Sequence, residues 1–397
     1  MEAQDRGAAS IFIIPPTVFL VGCLLFIALL YGHRDLAVLT ILVLAIVGGA
    51  KVWSRLSLSG TKCHATVDKQ KVFPGEKITL RASAENEKFL PIWLEMKVPV
   101  DSPLRASSGE TNLTQQTGLF WYQRARFQWE LAAQRRGVHQ IGPPHVMVGD
   151  LFGFFPGEKK EKEVLHIIVY PRLVPLKPFP LPRRDLFGVP GARSPIQDPV
   201  YVLGTRDYQH GQSAKYIHWK ASARHNRLQQ KIFEPTEQEK TLLILDVEQF
   251  VGKHAEAEFE HTLEIVASLA VRLDQQGYAV GLVTNGAIVE GGPTILPVSR
   301  NPQQLAAILE VLARLQMRST GDLMGILRQG LPLSWGMSCV HFSCEEDVTT
   351  LAANEYFTRR KIPIVFFVSR VHGENGDTLR DKVHRLDDIC VQGVEKE

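Results

Sequence analysis

The chain of 397 residues has few cysteines and almost no excess of charge of either sign. Its five cysteines are odd in number and widely scattered, which excludes a disulfide framework and favours a reducing compartment. The net charge of +3 is small for this length and supports no general preference for nucleic acid. We therefore expect no nucleic-acid partner.

Charged residues are absent from a long apolar run near the N-terminus. Residues 11–31 carry none, and as a helix rising about 1.5 Å per residue they are long enough to cross a hydrocarbon core of about 30 Å. A second run, residues 36–53, is interrupted only by Lys51. The long side chain of Lys51 can place its charge among the headgroups, the level at which tryptophans such as Trp53 are enriched. The pattern predicts a transmembrane helical hairpin over residues 1–60. A signal peptide is the alternative, disfavoured because the second run follows at once and no small-residue cleavage site is evident.

Basic residues indicate the orientation of this hairpin. Lys51, Arg55 and Lys62 follow the second span, whereas its tip offers only Arg34. Because positive residues are retained on the cytoplasmic side, we expect a multi-pass protein of the cell membrane with its N-terminus and soluble domains in the cytoplasm.

Residues 61–170 show apolar side chains at every second position. One such series is Ile78, Leu80, Ala82 and Ala84, and others begin at Ile92 and Phe127. Because side chains of a strand alternate between two faces, this pattern predicts an antiparallel β-sandwich. Nothing in this segment assembles a set of catalytic residues.

A proline-rich and arginine-rich segment follows at residues 171–204. Eight prolines fall between residues 171 and 199, so we expect an extended strap and neither a helix nor a central strand. A linker between domains is one interpretation and a docking segment for a partner is the other.

Strands and helices alternate in the last segment, residues 205–397. This alternation predicts a mostly parallel sheet with helices on both faces, an α/β (Rossmann-like) domain. The expected strands are 241–245, 279–284, 339–343 and 364–369, and the expected helices are 256–276, 302–315 and 347–361.

Acidic residues follow the first of these strands, at the sheet edge where α/β domains bind ligands. Asp246 and Glu248 could supply oxygen ligands to a magnesium ion, but Phe250 occupies the next alternate position and cannot. The alternative, which we prefer, is that Asp246 accepts hydrogen bonds from neighbouring backbone amides. We therefore expect no cofactor, with magnesium as the alternative.

Cys339 and His341 lie two residues apart in a predicted strand and so share a face. They suggest a thiol nucleophile or part of a zinc site, although no further ligand has metal spacing. The alternative is that Cys339 is a buried cysteine that behaves as a small apolar residue.

The most distinctive stretch is YIHWKASAR, residues 216–224. With TRDYQHG before it, and with RRGVHQIGPPHVMVGDLFGFF and VYPRLVPL earlier in the chain, it resembles the signature of the domain-of-unknown-function 58 family. The resemblance implies a membrane-anchored protein with a von Willebrand A-like domain that works with a MoxR-type AAA+ ATPase, often beside a transglutaminase-like membrane protein. The residues that match the signature are His218, Trp219, Lys220, Ala223 and Arg224.

The side chains of this segment allow two interpretations. Lys220 and Arg224 lie four residues apart, on one face of a helix, in basic surroundings. Trp219 could fill a groove between the domains as a structural latch, with the cations paired to carboxylates such as Glu234, or the segment could bind a partner or phosphate directly. We expect the latch.

Three functions follow as hypotheses. The first is a non-enzymatic, membrane-tethered adaptor for the AAA+ ATPase, favoured by the anchor and by the lack of a catalytic set. The second is a metal-dependent ligand-binding domain that uses Asp246 and Glu248. The third is a thiol hydrolase that uses Cys339 and His341, which requires a depressed thiol pKa.

Overall fold

A computed structural model describes residues 6–58, 60–106, 109, 111–149, 156–179, 197–209, 214–235, 240–330, 337–370 and 382–391. The chain divides into two compact units, Met1–Arg172 and Leu173–Glu397.

Two long helices open the first unit, α1 (Arg6–Leu30) and α2 (Arg34–Leu58), which pack against each other. In α2 the stretch Arg34–Ser57 has a mean hydropathy of 2.2 over its apolar window and is long enough to cross a bilayer. In α1 the described apolar stretch, Pro16–Leu30, is shorter. Among the described residues, one helix therefore has the length and composition of a membrane span.

The rest of this unit is built from strands that pair almost entirely antiparallel, as the alternating pattern predicts. The sheets have the orders β1-β3-β7-β5, β10-β9-β4-β6 and β2-β11-β8, and the pairing of β2 with β11 is parallel. The strands are β1 (Thr61–Val67), β2 (Lys71–Val72), β3 (Lys77–Asn86), β4 (Ile92–Pro99), β5 (Leu104–Ala106), β6 (Asn112–Leu119), β7 (Arg124–Ala133), β8 (Gly137–Ile141), β9 (His145–Gly149), β10 (Gly157–Lys160) and β11 (Leu165–Val169).

The core of this unit contains the apolar residues that the alternation singles out. Ile78, Leu80, Ala82 and Ala84 of β3 are all buried in one cluster with Ile92 of β4. Burial of a Leu or Ile side chain stabilises a fold by about 1.5–3 kcal/mol. A shift of the strand pairing by one residue would expose all of these side chains and lose several such contributions at once.

The second unit begins with an antiparallel ribbon of two strands, β12 (Gln197–Asp207) and β13 (Gln229–Pro235), joined through the short helix α3 (Trp219–His225). Residues 197–204, the last part of the expected strap, begin β12, which is extended and is neither a helix nor a central strand. Pro199 is compatible with a strand here because a two-stranded ribbon has only edge strands. The strap residues 180–196 lie outside the described residues. In the described part of the strap, the amide of Lys177 donates a hydrogen bond to the carbonyl oxygen of Ile389 at 2.7 Å, which ties the strap to the short helix Leu386–Ile389.

The main sheet has six strands in the order β17-β15-β14-β19-β20-β21. All neighbours are parallel except β17 with β15. The remaining elements of the unit are β14 (Lys240–Leu245), α4 (Glu248–Gly252), α5 (Glu256–Gln275), β15 (Ala279–Thr284), β16 (Gly286–Ile288), β17 (Ile295–Ser299), α6 (Gln304–Arg314), β18 (Leu315–Ser319), α7 (Leu323–Gly330), β19 (Met337–Ser343), α8 (Val348–Arg359), β20 (Ile364–Val368), β21 (Val383–Arg385) and α9 (Leu386–Ile389).

Each of the seven strands and helices predicted in this region is confirmed to within a few residues. The antiparallel edge strand β17 was not predicted. It lies so close to β15 that a Cβ at Gly281 would stand 2.8 Å from the backbone nitrogen of Val298, so only glycine fits there without a shift.

Both faces of β14 are covered, as the alternation predicts. Leu242 and Ile244 pack in a cluster with residues of α7 and α8, and the alternate residues Leu243 and Leu245 are equally buried. Parallel pairing brings the carboxyl ends of β14, β15 and β19 to one edge of the sheet, where the candidate ligand residues lie.

Candidate functional site

The signature segment folds as a compact connection between β12 and β13. The amide of His218 donates to the carbonyl oxygen of Gln229 at 2.8 Å, and Ile217 is buried beside Gln230. These contacts fix the start of α3 against β13.

Helix α3 is capped at both ends by its own sequence. The imidazole Nδ1 of His218 accepts a hydrogen bond from the amide of Ala221 at 3.1 Å, in the manner of an N-cap side chain. Asn226 ends the helix with φ of 52°, a left-handed conformation that asparagine tolerates. Ser222 accepts from the amide of Gln229 at 2.8 Å and so ties the middle of the helix to β13.

The large side chains of α3 point outward. Trp219 is 68% exposed, so the described residues of its own unit do not bury the ring, and a latch in a groove between the domains stays a prediction. Within the unit, α3 is anchored through Ile217, His218 and Ser222 and not through Trp219. Lys220, Ala223 and Arg224 are also exposed.

The surroundings of Trp219 are basic. Arg227 lies 3.8 Å from the carboxylate of Asp207, both well exposed, and Lys215 lies over the ring of Tyr216. An exposed ion pair of this kind contributes about 0–1 kcal/mol, so it holds Arg227 only weakly. We call the surface formed by Trp219, Lys220, Ala223 and Arg224 the α3 surface. It combines an exposed indole with cations that can reorient, which suits recognition of an acidic protein surface.

The second candidate region is the carboxyl edge of the main sheet, centred on Asp246. Its carboxylate is buried, and Oδ1 accepts from the amide of Glu248 at 3.1 Å and from the side-chain amide of Asn285 at 3.0 Å. Oδ2 accepts from the hydroxyl of Thr349 at 3.3 Å. Burial raises the pKa of Asp246, the hydrogen bond from Asn285 opposes that shift, and Asp347 adds to it. The prediction that Asp246 accepts hydrogen bonds at the strand end is confirmed.

A second layer of side chains closes this network. Gln249 accepts from the amide of Glu345 at 3.1 Å and donates to the hydroxyl of Thr349 at 3.0 Å. Glu345 forms an ion pair with Lys253. Asp347 is the N-cap of α8, where it accepts from the amides of Thr349 and Thr350 at 2.9 and 3.1 Å. Asp347 therefore begins α8.

The residues at this edge do not fit a magnesium site well. Both carboxylate oxygens of Asp246 already accept from protein donors, and the side chain of Glu248 is exposed. Phe250 is fully buried against Phe259, with ring centroids 5.6 Å apart, so its position supplies packing and no oxygen. Over the described ranges, no three His, Cys, Asp or Glu side chains are grouped as ligands of one ion.

Cys339 and His341 are both fully buried on the same side of the sheet. Burial strongly raises the pKa of the Cys339 thiol, which is the opposite of what a thiol nucleophile requires. Burial also lowers the pKa of His341 to about 4, an effect that Asp347 partly opposes. The ring of His341 packs against Phe366 with centroids 5.2 Å apart. Cys339 is thus a buried apolar residue, as the alternative interpretation held.

Sequence reasoning missed the polar partners of Asp246. Asn285, which follows β15, and Thr349, in the first turn of α8, bond Asp246 directly, and Gln249 of α4 bonds Thr349. The topology alone brings these three residues together. The available signal was that Asn285 directly follows a predicted strand and so belongs at the same edge.

Part of the second unit matches a known protein family. Residues 204–328 match the family described as "Protein of unknown function DUF58". The chain is 26% identical over 196 residues to "Uncharacterized protein YeaD" of Bacillus subtilis, an alignment that covers 49% of this chain and 46% of that protein. The chain therefore spans less than half the length of this relative.

Solved structures resemble only part of the chain. A CARDB domain from Pyrococcus furiosus is similar at 10% identity and a TM-score of 0.20, covering 28% of this chain and 93% of that one. A FixG-related protein from Vibrio parahaemolyticus is similar at 11% identity and a TM-score of 0.19, covering 28% and 97%. At these TM-scores neither similarity assigns a fold or a function to this chain.

Proposed function

We propose that the protein is a non-enzymatic, membrane-tethered adaptor that binds a MoxR-type AAA+ ATPase through the α3 surface. In this proposal α1 and α2 are a two-span anchor of the cell membrane and the soluble units lie in the cytoplasm. The α/β unit serves as the von Willebrand A-like domain, and a transglutaminase-like membrane protein is a further partner.

The exposure of Trp219 carries this proposal. An indole left 68% exposed has a large apolar area that a partner could remove from water, worth about 25 cal/mol per Å². Trp and Arg are the residues that most often dominate binding energy at protein interfaces, and Lys220 and Arg224 are exposed beside Trp219.

The anchor rests on α2 and on the distribution of charge. The apolar stretch Arg34–Ser57 is long enough to cross a bilayer, and Lys51 and Arg55 stand near its end. A partner in the cytoplasm, where AAA+ ATPases use ATP, requires the soluble units on that side.

The buried candidates support an adaptor more than an enzyme. Asp246 is engaged by three protein donors, and the thiol of Cys339 is fully buried with a raised pKa. A nucleophile needs access to substrate and a depressed pKa, and Cys339 has neither.

Co-purification of the full chain with a co-expressed MoxR-type ATPase of the same organism tests the proposal. The test variant combines Trp219→Ala, Lys220→Ala and Arg224→Ala. The matched control combines Val348→Ala, Arg300→Ala and Arg328→Ala, three exposed positions of the same unit. We expect the control to retain the ATPase and the α3 variant to lose it.

Two other results would redirect the function. Equal capture by wild type and the α3 variant would remove the α3 surface from the interface. Capture that requires magnesium and is lost in Asp246→Asn would favour the metal-dependent ligand-binding domain instead.

A further inference from the structure

Four large aromatic side chains are exposed together at one end of the β-sandwich of the first unit. They are Phe89, in the loop between β3 and β4, and Phe120, Trp121 and Tyr122, in the turn between β6 and β7, with exposures between 53% and 70%. We call them the aromatic patch. Single exposed apolar residues are ordinary, but a contiguous group of this size usually marks an interaction surface.

The rings of the patch are arranged against one another. Phe89 stacks on Trp121 with ring centroids 5.3 Å apart and an interplanar angle of 17°. Phe120 meets Trp121 edge to face at 5.9 Å. Such aromatic pairs are worth about 0.5–1.5 kcal/mol beyond burial, so the patch has a defined shape although it faces solvent.

Hydrogen bonds hold the two loops together beneath these rings. The side-chain amide of Asn86, which is buried, donates to the carbonyl oxygens of Leu90 at 2.7 Å and Phe120 at 3.0 Å. The amide of Tyr122 donates to the carbonyl oxygen of Lys88 at 3.1 Å. The patch is therefore a preformed surface.

The same loop is tied to the end of α2. The indole of Trp53 donates to the carbonyl oxygen of Pro91 at 2.9 Å. The ammonium group of Lys88 donates to the carbonyl oxygen of Ser57 at 2.9 Å and also to that of Leu56. Those carbonyls belong to the last turn of α2, where a cation complements the helix dipole. Because Lys88 immediately precedes Phe89, the patch begins within one residue of the contact with α2.

The end of α2 is also where its apolar stretch gives way to charge. Lys51 and Arg55 are exposed there, on either side of Trp53. In a membrane helix this combination of Trp and basic residues stands at the headgroup level. A surface fastened to this turn lies at the same level.

We infer that the aromatic patch inserts into the headgroup region of the membrane that α2 enters, as a second contact that fixes the first unit against the bilayer. This inference rests on the anchor in the proposed function. Apolar faces of interfacial helices are buried about 5–10 Å into the boundary between headgroups and acyl chains, and Trp and Tyr side chains are enriched at the same level.

The charges beside the patch favour a neutral lipid surface over a charged protein. Lys62 pairs with Glu87 at 2.6 Å, and Arg124 pairs with Glu85. Lys88 is engaged by α2. With these cations paired, the patch offers aromatic area and little net charge, so zwitterionic phosphatidylcholine is a sufficient ligand.

Fluorescence of the full chain in phosphatidylcholine nanodiscs tests this inference. The emission of Trp121 is isolated as the difference between wild type and Trp121→Phe, with and without lipids that carry a nitroxide quencher near the headgroup. We expect quenching by about half, as for a ring at the interface. The matched control is the difference for Trp129→Phe, because Trp129 lies five residues from Arg124 along β7, about 17 Å farther from the patch, and should be quenched far less.

The outcomes separate this inference from the anchor. If the chain enters nanodiscs but Trp121 and Trp129 are quenched equally and weakly, insertion of the aromatic patch is overturned and the proposed anchor is unaffected. Unquenched Trp121 that becomes protected only when a protein partner is added assigns the patch to that partner and also overturns the inference. A chain that never enters nanodiscs overturns both.

Discussion

His341 should make the second unit sensitive to acid. Its ring is fully buried, and neither ring nitrogen has a hydrogen-bond partner among the described residues. Burial lowers the pKa of His341 from 6.5 to about 4, with Asp347 partly opposing the shift. The unfolded chain therefore binds a proton in a pH range where the folded chain does not.

The sign and size of the effect follow from this difference. Since the folded pKa is depressed, stability is unaffected above about pH 7 and falls as the pH drops from 6.5 towards 4. One pKa unit corresponds to about 1.4 kcal/mol, so the full loss is roughly 3 kcal/mol. Between pH 7.5 and pH 5.0 the loss is about 2 kcal/mol. For a unit of about 200 residues this lowers the melting temperature by about 4–8 °C.

Thermal melts of the detergent-solubilised full chain at both pH values measure this loss. Other groups also titrate, so the informative quantity is the difference between wild type and variants. His341→Phe keeps a ring against Phe366, and His341→Leu keeps an apolar side chain of similar volume. Both remove the titration, so both should lose about 2 kcal/mol less than wild type on acidification, whatever their stability at pH 7.5.

Identical acid losses in wild type and both variants would refute this reasoning. Such a result means that the imidazole is protonated or solvated in the folded chain. The comparison does not depend on whether His341→Phe is overpacked, since overpacking acts equally at both pH values.

Three further predictions concern the remaining candidates. Trp219→Ala should change the free energy of unfolding in urea by less than about 0.5 kcal/mol because the side chain is exposed, whereas a loss of about 3–5 kcal/mol would show it buried. Asp246→Asn retains an acceptor for Asn285 and should be nearly neutral in the same assay, while Asp246→Ala should cost about 1–3 kcal/mol because it leaves that amide unpaired. Titration calorimetry with magnesium should show no binding site tighter than millimolar, and micromolar binding that is lost in Asp246→Ala would contradict this prediction. The chain should resist extraction from membranes by carbonate, and a reporter fused after Glu397 should be cytoplasmic; an exported reporter would reverse the orientation.

The spacing of apolar residues predicts most of the fold because apolar residues recur at the positions that each strand or helix buries. Ile78 to Ala84 alternate in the sequence and are buried in the structure, and the seven strands and helices expected after residue 240 are present. Strand β17 escaped prediction because it lies at an edge, half-buried, with no strong period. Strand β12 was not predicted because the proline-rich composition before it disfavours a strand, whereas its one proline, Pro199, is accommodated in a ribbon that has only edge strands.

Side-chain exposure is harder to predict than secondary structure because it depends on contacts distant in sequence. A tryptophan among small residues is usually packed, and Trp219 was expected to be buried for that reason. In the structure α3 is anchored through Ile217, His218 and Ser222, of which only His218 was singled out from the sequence. The position of Asp246 was predicted correctly because strand ends are local, but its partners Asn285 and Thr349 lie far away in sequence, after β15 and in α8.

The two candidate regions of the second unit differ in what they can offer a partner. At the sheet edge, Asp246, Gln249 and Thr349 bind one another, so a ligand there would first have to break hydrogen bonds worth about 0.5–1.5 kcal/mol each. At α3, Trp219 and Arg224 are already exposed, so a partner gains apolar burial and charge pairing there without first breaking a network of the kind that holds Asp246. This difference favours α3 over the sheet edge as the site of the proposed partner binding.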